Sequence, residues 1–343
     1  MPKFLLYISY KYGFPIVRPL QEEILERGYD VAWFIEIEEN KKLLKEKEVL
    51  LNTIDQVKQY QPDIILVAAN EVPPFFPGIK VQVFHGFSIN KRSESKGHFR
   101  IRGLFDLYCT QGPSTTKPFL KLKEKYGHFD VFETGWSKVD PLFPVEKTIN
   151  TKSTVIFAST FTKSMSLAHN KEVFKELKRL VQLDKWNWLI TLHPKMDEEV
   201  ITKFKSLEGN IEFIPVLDNL YPLKKADVML SDTSSVITEF IIQGKPVVTF
   251  KNKKPGNYLI DIDKASDIEK SIVFALTKPK NIMDNIEKYI QVIHPYTDGK
   301  SSKRVIDASI LFLKDNSEIK LKKKPLNIIR KLKIRKRLGY FKI

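Results

Sequence analysis

Short hydrophobic runs alternate with charged, amphipathic segments along most of the chain. Phe4–Ser9, Val31–Ile35 and Ile64–Ala68 have the pattern of strands, and the last is continuously apolar, as expected of a strand buried on both faces. Pro19–Arg27 has the pattern of a helix, and the charged segment Glu38–Leu51 is predicted to form another. This alternation predicts a parallel sheet with helices on its faces.

The alternation continues to about residue 250. Further strands are predicted at Val81–Phe84, Leu107–Thr110, Val131–Glu133, Thr154–Ala158, Trp188–Leu192, Ile211–Ile214, Val228–Leu230 and Pro246–Phe250. Helices are predicted at Lys171–Leu183 and Ser235–Gln243, and the last third should be mostly helical. We therefore expect an α/β protein with two doubly wound, Rossmann-like domains facing across a cleft. Residues 1–150 and 151–316 would form these domains, and residues 317–343 a basic tail.

The composition is that of a folded protein with an uneven charge. The 343 residues are 42% hydrophobic, which excludes a disordered or fibrous chain, and they carry a formal charge of +16. The single cysteine, Cys109, excludes an internal disulfide framework and a Cys-rich metal site. The first residues lack the pattern of a secretory signal, and no apolar run has the length of a transmembrane helix. A cytoplasmic protein is therefore expected.

Several common nucleotide and metal motifs are missing from the sequence. It contains no G-x-x-x-x-G-K-[ST] loop, no G-x-G-x-x-G after the first strand, and neither H-E-x-x-H nor paired Cys/His spacing. A P-loop kinase or ATPase, a Rossmann dehydrogenase and a zinc centre are therefore not indicated. No metal ligands are predicted, although dependence on a divalent ion stays open.

Two histidines follow predicted strands, at the position where parallel α/β sheets bind ligands. His85 and Gly86 come after Val81–Phe84, and a histidine there is suited to acid–base chemistry. His193 follows Trp188–Leu192 with Lys195 close behind it, a pair suited to binding a phosphate. A purely structural role in a turn is the alternative for each histidine.

The most informative segment is residues 231–239, where a strand, a hydroxyl-rich turn and a helix follow one another. Thr233, Ser234 and Ser235 are predicted to lie at the helix N-terminus, where unpaired backbone N–H groups and the helix dipole favour an anion. A helix cap needs only one hydroxyl, so three favour phosphate binding. Glu239 either reaches a ribose diol from the next turn or lies on a solvated face.

A second candidate anion site opens a late helix. The turn Asp298-Gly299 is followed by Ser302 and Arg304, which are donors suited to an oxyanion at a helix start. An ordinary capped turn with basic surface residues is the alternative.

The C-terminal tail combines bases with apolar residues. Residues 319–343 contain eleven lysines and arginines and no acidic residue. A helix here would place Ile328, Ile329, Leu332 and Leu338 on a shared face, a combination suited to an anionic membrane surface. A disordered end is one alternative, and nucleic acid is a competing polyanion that we consider a less favoured partner. The candidate membrane-binding residues are Lys322, Lys323, Lys324, Arg330, Lys331, Lys333, Arg335, Lys336 and Arg337.

In the order and approximate spacing of its motifs, the chain resembles the CDP-glycerol glycerophosphotransferases of the teichoic-acid primase and polymerase type, which have a GT-B-like fold. The resemblance spans about residues 81–307. It departs from the family at Phe87, where threonine is common, and at Thr162-Lys163, where an arginine is common. The matching segments are His85-Gly86, Gly135–Phe143, Thr160-Phe161, His193-Pro194, Ser231–Phe240, Lys245–Val248 and Asp298–Arg304.

The resemblance implies transfer of glycerol phosphate from CDP-glycerol to a hydroxyl of a teichoic-acid-like, lipid-linked or surface-polysaccharide acceptor, with release of CMP. His85 would be the general base, and His193 with Lys195 would stabilise the diphosphate or the leaving CMP. No tightly bound cofactor is implied, and the enzyme would act at the cytoplasmic face of the membrane. Donor binding is implied for Ser231, Asp232, Thr233, Ser234, Ser235, Glu239, Ser302 and Arg304, and acceptor or loop contacts for Gly86, Ser88 and Thr160.

Two other functions stay open from the sequence. A GT-B nucleotide-sugar glycosyltransferase of capsule or surface polysaccharide synthesis would use the same architecture and attack a sugar carbon. A non-catalytic peripheral protein would bind an anionic polymer through its basic residues, and it would tolerate replacement of both His85 and His193.

Overall fold

The computed structural model describes residues 1–87, 97–145, 152–214, 220–315 and 321–341. The chain divides into two compact units. Met1–Asp140 and Ile293–Ile343 belong to the first, and Pro141–Val292 form the second. Each unit is built on one six-stranded sheet.

The first sheet is parallel and consists of residues from the first 133 positions. Its strands are β1 (Lys3–Ile8), β2 (Asp30–Ile35), β3 (Ile64–Val67), β4 (Ile79–Gln82), β5 (Leu107–Thr110) and β6 (Asp130–Glu133), in the order β2-β1-β3-β4-β5-β6. The helices that connect them are α1 (Phe14–Glu26), α2 (Ile54–Tyr60) and α3 (Pro113–Tyr126). Every residue of β3 is buried, which explains its continuous apolar sequence.

The second sheet is parallel as well. Its strands are β7 (Thr154–Ser159), β8 (Asn187–Leu192), β9 (Ile211–Ile214), β10 (Val228–Ser231), β11 (Val247–Phe250) and β12 (Ile260–Ile262), in the order β12-β11-β10-β7-β8-β9. Its helices are α4 (Lys171–Gln182), α5 (Glu198–Lys205), α6 (Tyr221–Lys225), α7 (Val236–Ile241), α8 (Ile268–Leu276) and α9 (Lys280–Ile293). The predicted α/β class with two doubly wound parallel sheets is confirmed.

The prediction of a helix over Glu38–Leu51 is wrong for most of that segment. Only Glu38–Leu43 form a short 3₁₀ helix. The following residues run beside β2 instead, because the Trp33 N–H donates to the Val49 carbonyl and the Leu51 N–H donates to the Trp33 carbonyl, both at 2.8 Å. Tertiary pairing with the sheet edge thus outweighs the local helical pattern.

Helix α2 and strand β12 are among the short elements that the sequence pattern does not predict. Helix α2 begins with a capping box, in which the Thr53 side chain accepts from the Gln56 N–H and the Gln56 side chain accepts in return from the Thr53 N–H. Strand β12 is only three residues long, and Asp261 within it accepts a hydrogen bond from the Thr249 hydroxyl of β11 at 2.6 Å.

The end of the chain returns to the first unit, whereas the sequence prediction placed residues up to 316 with the second domain. Helix α10 (Ser301–Asp315) packs against α1 and β5. Asp140 accepts hydrogen bonds from the Ser301 N–H at 2.9 Å and from both the N–H and the hydroxyl of Ser302 at 2.7 Å. A carboxylate at the first turn of a helix satisfies orphan N–H groups and complements the helix dipole.

The basic tail is docked on the first unit by helix α11 (Ile328–Arg337). Ile334 and Tyr340 belong to the hydrophobic core of that unit, with exposed fractions of 1% and 7%. Tyr340 also stacks on Phe75 with ring centroids 4.9 Å apart. For the described residues 321–341, a solvated, disordered end is therefore not what the structure shows.

We expect Ile334→Ala to lower the free energy of unfolding by about 2–5 kcal/mol, the range for truncating a buried aliphatic side chain. Ile329→Ala on the same helix is the matched control. Ile329 is 73% exposed, and surface substitutions usually change stability by less than about 0.5 kcal/mol. Urea unfolding of both variants measures the difference, and equal effects would contradict the docking of α11.

Candidate functional site

Several predicted site residues of the second unit lie at one edge of its sheet. His193 follows β8, Thr160 follows β7, and residues 232–235 follow β10. Since β10, β7 and β8 are consecutive in the sheet, their carboxyl ends are neighbours. This is the edge at which parallel α/β sheets bind ligands.

The geometry around His193 fixes which of its ring nitrogens carries the proton. The Lys195 N–H donates to His193 Nδ1 at 3.0 Å, so in the neutral ring Nε2 is the protonated nitrogen. Burial and the nearby Lys195 hold the pKa of His193 below its ordinary value, which favours this neutral form. The ring lies against Phe161, with centroids 4.4 Å apart. His193 is therefore a neutral N–H donor, a group suited to a phosphate oxygen.

Asp232 organises the loop after β7. Its Oδ2 accepts from the Ser159 hydroxyl at 2.7 Å and from the N–H groups of Leu167 and Thr160 at 2.9 and 3.0 Å. Burial raises the pKa of Asp232, and these hydrogen bonds act in the opposite direction. Because Asp232 is fully buried and its carboxylate is used within the protein, its geometry is that of a positioning residue.

Ser231 has a similar internal role. Its side chain is fully buried, and its hydroxyl donates to the Ala158 carbonyl at 2.8 Å, which ties β10 to β7. Donor contacts by Ser231 and Asp232 stay predictions, although neither side chain is accessible in this structure.

The three hydroxyls of the turn are differently placed. The Lys253 N–H donates to Thr233 Oγ1 at 3.1 Å, which leaves the Thr233 hydroxyl hydrogen for another acceptor. Ser234 accepts from the Val236 N–H at 3.4 Å, and Ser235 is exposed. Helix α7 has only six residues, so the hydroxyl donors contribute more to an anion site than the helix dipole does.

Glu239 lies within α7 and is 9% exposed. The solvated face considered as its alternative is therefore not where the structure places it. Its contact with a ribose stays a prediction.

At the first sheet, His85 follows a strained turn. Phe84 has a φ of 59° although its side chain is 1% exposed, a left-handed conformation that is rare for a bulky residue and is found preferentially at functional sites. The turn leaves His85 exposed, with its ring 5.4 Å from that of Tyr12.

His98 is a functional candidate that the sequence reasoning missed. Its ring stacks on Phe84 at 4.7 Å, and burial, with a smaller contribution from His85, lowers the pKa of His98 to about 4. No predicted strand and no motif comes directly before His98 in the sequence, so only the fold brings it to His85. Gly86 has open space where a side chain would begin, and Ser88 lies outside the described residues.

Ser302 and Arg304 belong to the first unit, whereas the hydroxyl turn at residues 233–235 belongs to the second. Ser302 is 6% exposed and bonds to Asp140. Arg304 forms two hydrogen bonds of 2.8 Å with Asp298, donates to the Thr134 carbonyl at 2.9 Å, and lies over the Tyr296 ring. Arg304 lowers the pKa of Asp298 to about 2. Donor binding by these two residues stays a prediction.

The described residues contain neither a metal-ligand cluster nor a helix that could span a bilayer. No group of three or more His, Cys, Asp or Glu side chains in the described ranges is arranged to hold a metal ion. Among the helices that the structure describes, none has the length and apolar character required to cross a bilayer.

Comparison with known proteins gives a family match and a set of similar structures. A model of the UDP-N-acetylglucosamine 2-epimerase family matches residues 106–309, more than half of the chain. Comparison with curated proteins gives no match.

The similar structures are enzymes. A variant of the wall teichoic acid polymerase TagF has a TM-score of 0.65 and 12% sequence identity, over 92% of this chain and 90% of that one. UDP-GlcNAc 2-epimerase from Neisseria meningitidis, bound to UDP-GlcNAc, has a TM-score of 0.62 and 16% identity, over 90% and 99%. MnaA from S. aureus, in complex with UDP, has a TM-score of 0.61 and 15% identity, over 95% and 99%. These likenesses show the fold and confirm that it is GT-B-like.

We expect Asp232→Asn to destabilise the second unit by about 1–3 kcal/mol, because the amide replaces an acceptor oxygen with a donor among groups that are already donors. Asp263→Asn is the matched control, since Asp263 is exposed. Urea unfolding measures the effect, and limited proteolysis reports the loop at residues 160–167. An Asp232→Asn protein as stable as the control would mean that this network does not hold the loop.

Proposed function

We propose that this chain, which belongs to the UDP-N-acetylglucosamine 2-epimerase family, is a transferase acting on a nucleotide-activated donor. The donor we propose is CDP-glycerol, and the acceptor is a hydroxyl of a lipid-linked or polysaccharide precursor of a cell-surface polymer. The order of motifs from His85 to Arg304 and the fold likeness to a teichoic acid polymerase support this choice.

The observation that carries the proposal is the set of neutral donors at the ends of β8 and β10. His193 offers Nε2–H, and Thr233 offers a hydroxyl hydrogen because its oxygen already accepts from Lys253. Lys195 adds a positive charge beside them and is exposed. Hydrogen-bond donors fixed in advance stabilise the charge that develops on phosphate oxygens during transfer.

The proposed reaction is a displacement at phosphorus. The acceptor oxygen attacks the β-phosphorus of CDP-glycerol while His85 takes the acceptor proton. The new O–P bond forms as the bond from that phosphorus to the bridging oxygen breaks, and CMP leaves with the electron pair. His193 donates to a phosphate oxygen on this path, and its proton stays on the ring throughout.

This assignment separates the roles of the two histidines. His85 gains a proton during the reaction and therefore changes its charge. His193 must remain a neutral donor, and its lowered pKa favours that state. Because the Lys195 N–H donates to His193 Nδ1, the neutral ring in this conformation cannot be the tautomer that carries its proton on Nδ1.

The proposal is tested by incubating the purified protein with CDP-glycerol, CDP-ribitol, UDP-GlcNAc and other UDP-sugars, with and without an acceptor carrying a terminal glycerol phosphate. We expect thermal stabilisation by CDP-glycerol and CMP, which reaches about 2.7 kcal/mol at 100 times the Kd. We also expect CMP release that depends on the acceptor. Product analysis by mass spectrometry completes the measurement.

A second candidate function is epimerisation of a UDP-linked amino sugar, which the family match over residues 106–309 favours. Epimerisation needs no acceptor, so conversion of UDP-GlcNAc to its 2-epimer in the acceptor-free reaction would support this function and overturn the proposal. Acceptor-dependent release of UDP would instead indicate a glycosyltransferase.

In the proposed reaction, we expect His193→Ala to lower kcat by about 10²–10³-fold, as for the loss of one donor in an oxyanion site. His193→Gln retains an N–H donor and should recover part of that loss. His169→Gln is the control, a histidine of the same unit that pairs with Asp197 at 3.2 Å. Steady-state kinetics over a range of pH values makes the measurement. If His193→Gln were as slow as His193→Ala and the acidic limb of the profile disappeared, His193 would be a proton-transfer group instead.

A further inference from the structure

The inner side of the tail is held to the first unit by ion pairs as well as by its buried residues. Arg337 pairs with Glu36 at 2.6 Å and with Glu71 at 3.0 Å, and Lys324 pairs with Asp106 at 2.6 Å. The extended stretch before α11 is also fixed, since the Asn327 side chain donates to the Arg102 carbonyl at 2.8 Å. The tail therefore presents a defined outer surface.

The carboxylate of Glu71 accepts hydrogen bonds from the guanidinium groups of both Arg102 and Arg330. Glu71 Oε1 accepts from Arg102 Nη1 at 2.6 Å and from Arg330 Nη1 at 3.3 Å. Nε of both arginines is buried and has no hydrogen-bond partner among the described residues. Buried donors without an acceptor are unfavourable, so this arrangement indicates a ligand with acceptor oxygens.

These two arginines line a cavity of about 300 Å³ together with His128 and Lys323. His128 is 4% exposed, and its Nε2 also has no partner within the described part of the chain. Burial and Arg102 lower the pKa of Arg330, as expected where cations are gathered without enough anions. Planar guanidinium groups bind phosphate with two parallel N–H donors, which suits a phosphate ester here.

The tail also exposes large apolar side chains. A groove of about 780 Å³ adjoins Arg330, and its lining includes Leu326, Ile328 and Ile329 as well as Glu71, Lys333, Ile334 and Arg337. The exposed fractions of Leu326, Ile328 and Ile329 are 74%, 60% and 73%. Leu332 and Phe341 are also more than half exposed. Large apolar side chains gathered on a surface in this way mark an interaction site.

We propose that the tail and the Arg102–Arg330 cavity form a docking site for an anionic phospholipid surface, in which a headgroup phosphate enters the cavity and the apolar side chains of α11 enter the acyl region. Charge complementarity selects this occupant. The described tail, residues 321–341, has no acidic residue, and Lys322, Lys323, Lys333 and Lys336 are exposed around the apolar side chains. Lysine and arginine side chains near an anionic membrane surface are attracted to it.

A nucleic acid would be attracted by the same charges but would not account for the exposed aliphatic residues. Base recognition outside the grooves of a duplex relies on aromatic stacking, whereas Leu326, Ile328, Ile329 and Leu332 are aliphatic. Aliphatic and basic side chains on one helix are typical of an interfacial helix that lies in the plane of the membrane.

The docking site is connected to His85 through neighbouring side chains of the same unit. Tyr12 contacts His85, and Arg102 lies close enough to Tyr12 to lower its pKa, although burial raises that pKa overall to about 12. Arg102 in turn pairs with Glu71 and thereby with α11. If the proposed function is correct, a lipid-linked acceptor would be presented beside the base that deprotonates it. This consequence rests on the proposed function, whereas the docking site itself does not.

The experiment is co-sedimentation of the full-length protein with phosphatidylcholine vesicles that contain or lack phosphatidylglycerol, without substrates. We expect binding only to the anionic vesicles. The double variant Ile329→Glu/Leu332→Glu should bind at least about tenfold more weakly, since two apolar contacts are replaced by charges that the surface repels. Val273→Glu in α8 is the matched control, since Val273 is 48% exposed on the second unit, and it should bind like the wild type.

Arg102→Gln and Arg330→Gln test the headgroup cavity, and we expect each to reduce binding to anionic vesicles by several fold more than Lys185→Gln, which removes an exposed charge elsewhere. Urea unfolding confirms that each variant is folded. Equal binding of the cavity variants and Lys185→Gln would overturn the headgroup site, and equal binding to vesicles without phosphatidylglycerol would overturn the anionic surface. Binding to single-stranded RNA but not to vesicles would overturn the docking site as a whole.

Inorganic phosphate and glycerol phosphate distinguish the source of the phosphate. Competition by either at millimolar concentration, with no vesicle binding, would show a site for a free phosphate and overturn the lipid surface. Turnover of a water-soluble acceptor by the Ile329→Glu/Leu332→Glu variant distinguishes failure of the docking site from failure of the proposed function. If this variant turns over the soluble acceptor normally but no longer binds vesicles, both the docking site and the proposed reaction are supported. If the wild type binds vesicles but shows no turnover, only the proposed reaction is overturned.

Discussion

The return of the chain to the first unit depends on the buried carboxylate of Asp140. It receives three hydrogen bonds from the start of α10, and burial raises its pKa while the bonds from Ser302 and Ser301 oppose that rise. A carboxylate taken out of water at this cost is stable only if its lone pairs are satisfied, and the open first turn of a helix satisfies them. Once α10 is fixed there, the segment that follows it is committed to the first unit. On that unit, α11 is then held by contacts of its own, through Ile334, Tyr340 and Arg337.

Asp232 is a second buried carboxylate, in the second unit, whose oxygens accept hydrogen bonds from within the protein. Each aspartate accepts hydrogen bonds from a distant segment of its own unit, Asp140 from the start of α10 and Asp232 from the loop after β7. Their side chains are satisfied by protein donors, whereas the Thr233 hydroxyl, Ser235 and the Nε2 side of His193 retain hydrogens for an external acceptor. The buried carboxylate of Asp232 fixes the backbone of this region, and the neighbouring donor groups stay available to bind a phosphate. This separation is what a site needs when the charge to be stabilised belongs to the ligand.

The sequence predicts those features that depend on local pattern. The strand Leu107–Thr110 lies where its apolar residues indicate, because a strand buried between helices needs an apolar run whatever surrounds it. The position of His193 after β8 follows from the same logic.

Features that depend on distant partners could not be predicted in this way. Ser302 bonds to a carboxylate 162 positions away, and nothing in the turn at residues 298–304 distinguishes that use from phosphate binding. His98 is brought to His85 by the fold alone, and the tautomer of His193 depends on a backbone N–H whose direction no pattern encodes. The tail is an intermediate case. Its composition indicates an amphipathic surface, but only the structure assigns Ile334 to the core and Ile329 to the outside.

Packing of the inner side of α11 against the first unit affects how its exposed side can bind a membrane. A free basic peptide that binds a membrane must lose its conformational entropy at the surface, and that loss offsets part of the electrostatic and apolar gain. Here folding has already ordered the helix, because Ile334, Tyr340 and Arg337 hold it against the first unit. Preorganisation of this kind strengthens binding by removing an entropic cost, without any additional contact. His85 belongs to the same unit as α11. Binding of a membrane by α11 would therefore hold the His85 edge of the first sheet in a fixed orientation to that membrane, which a flexible tail could not impose.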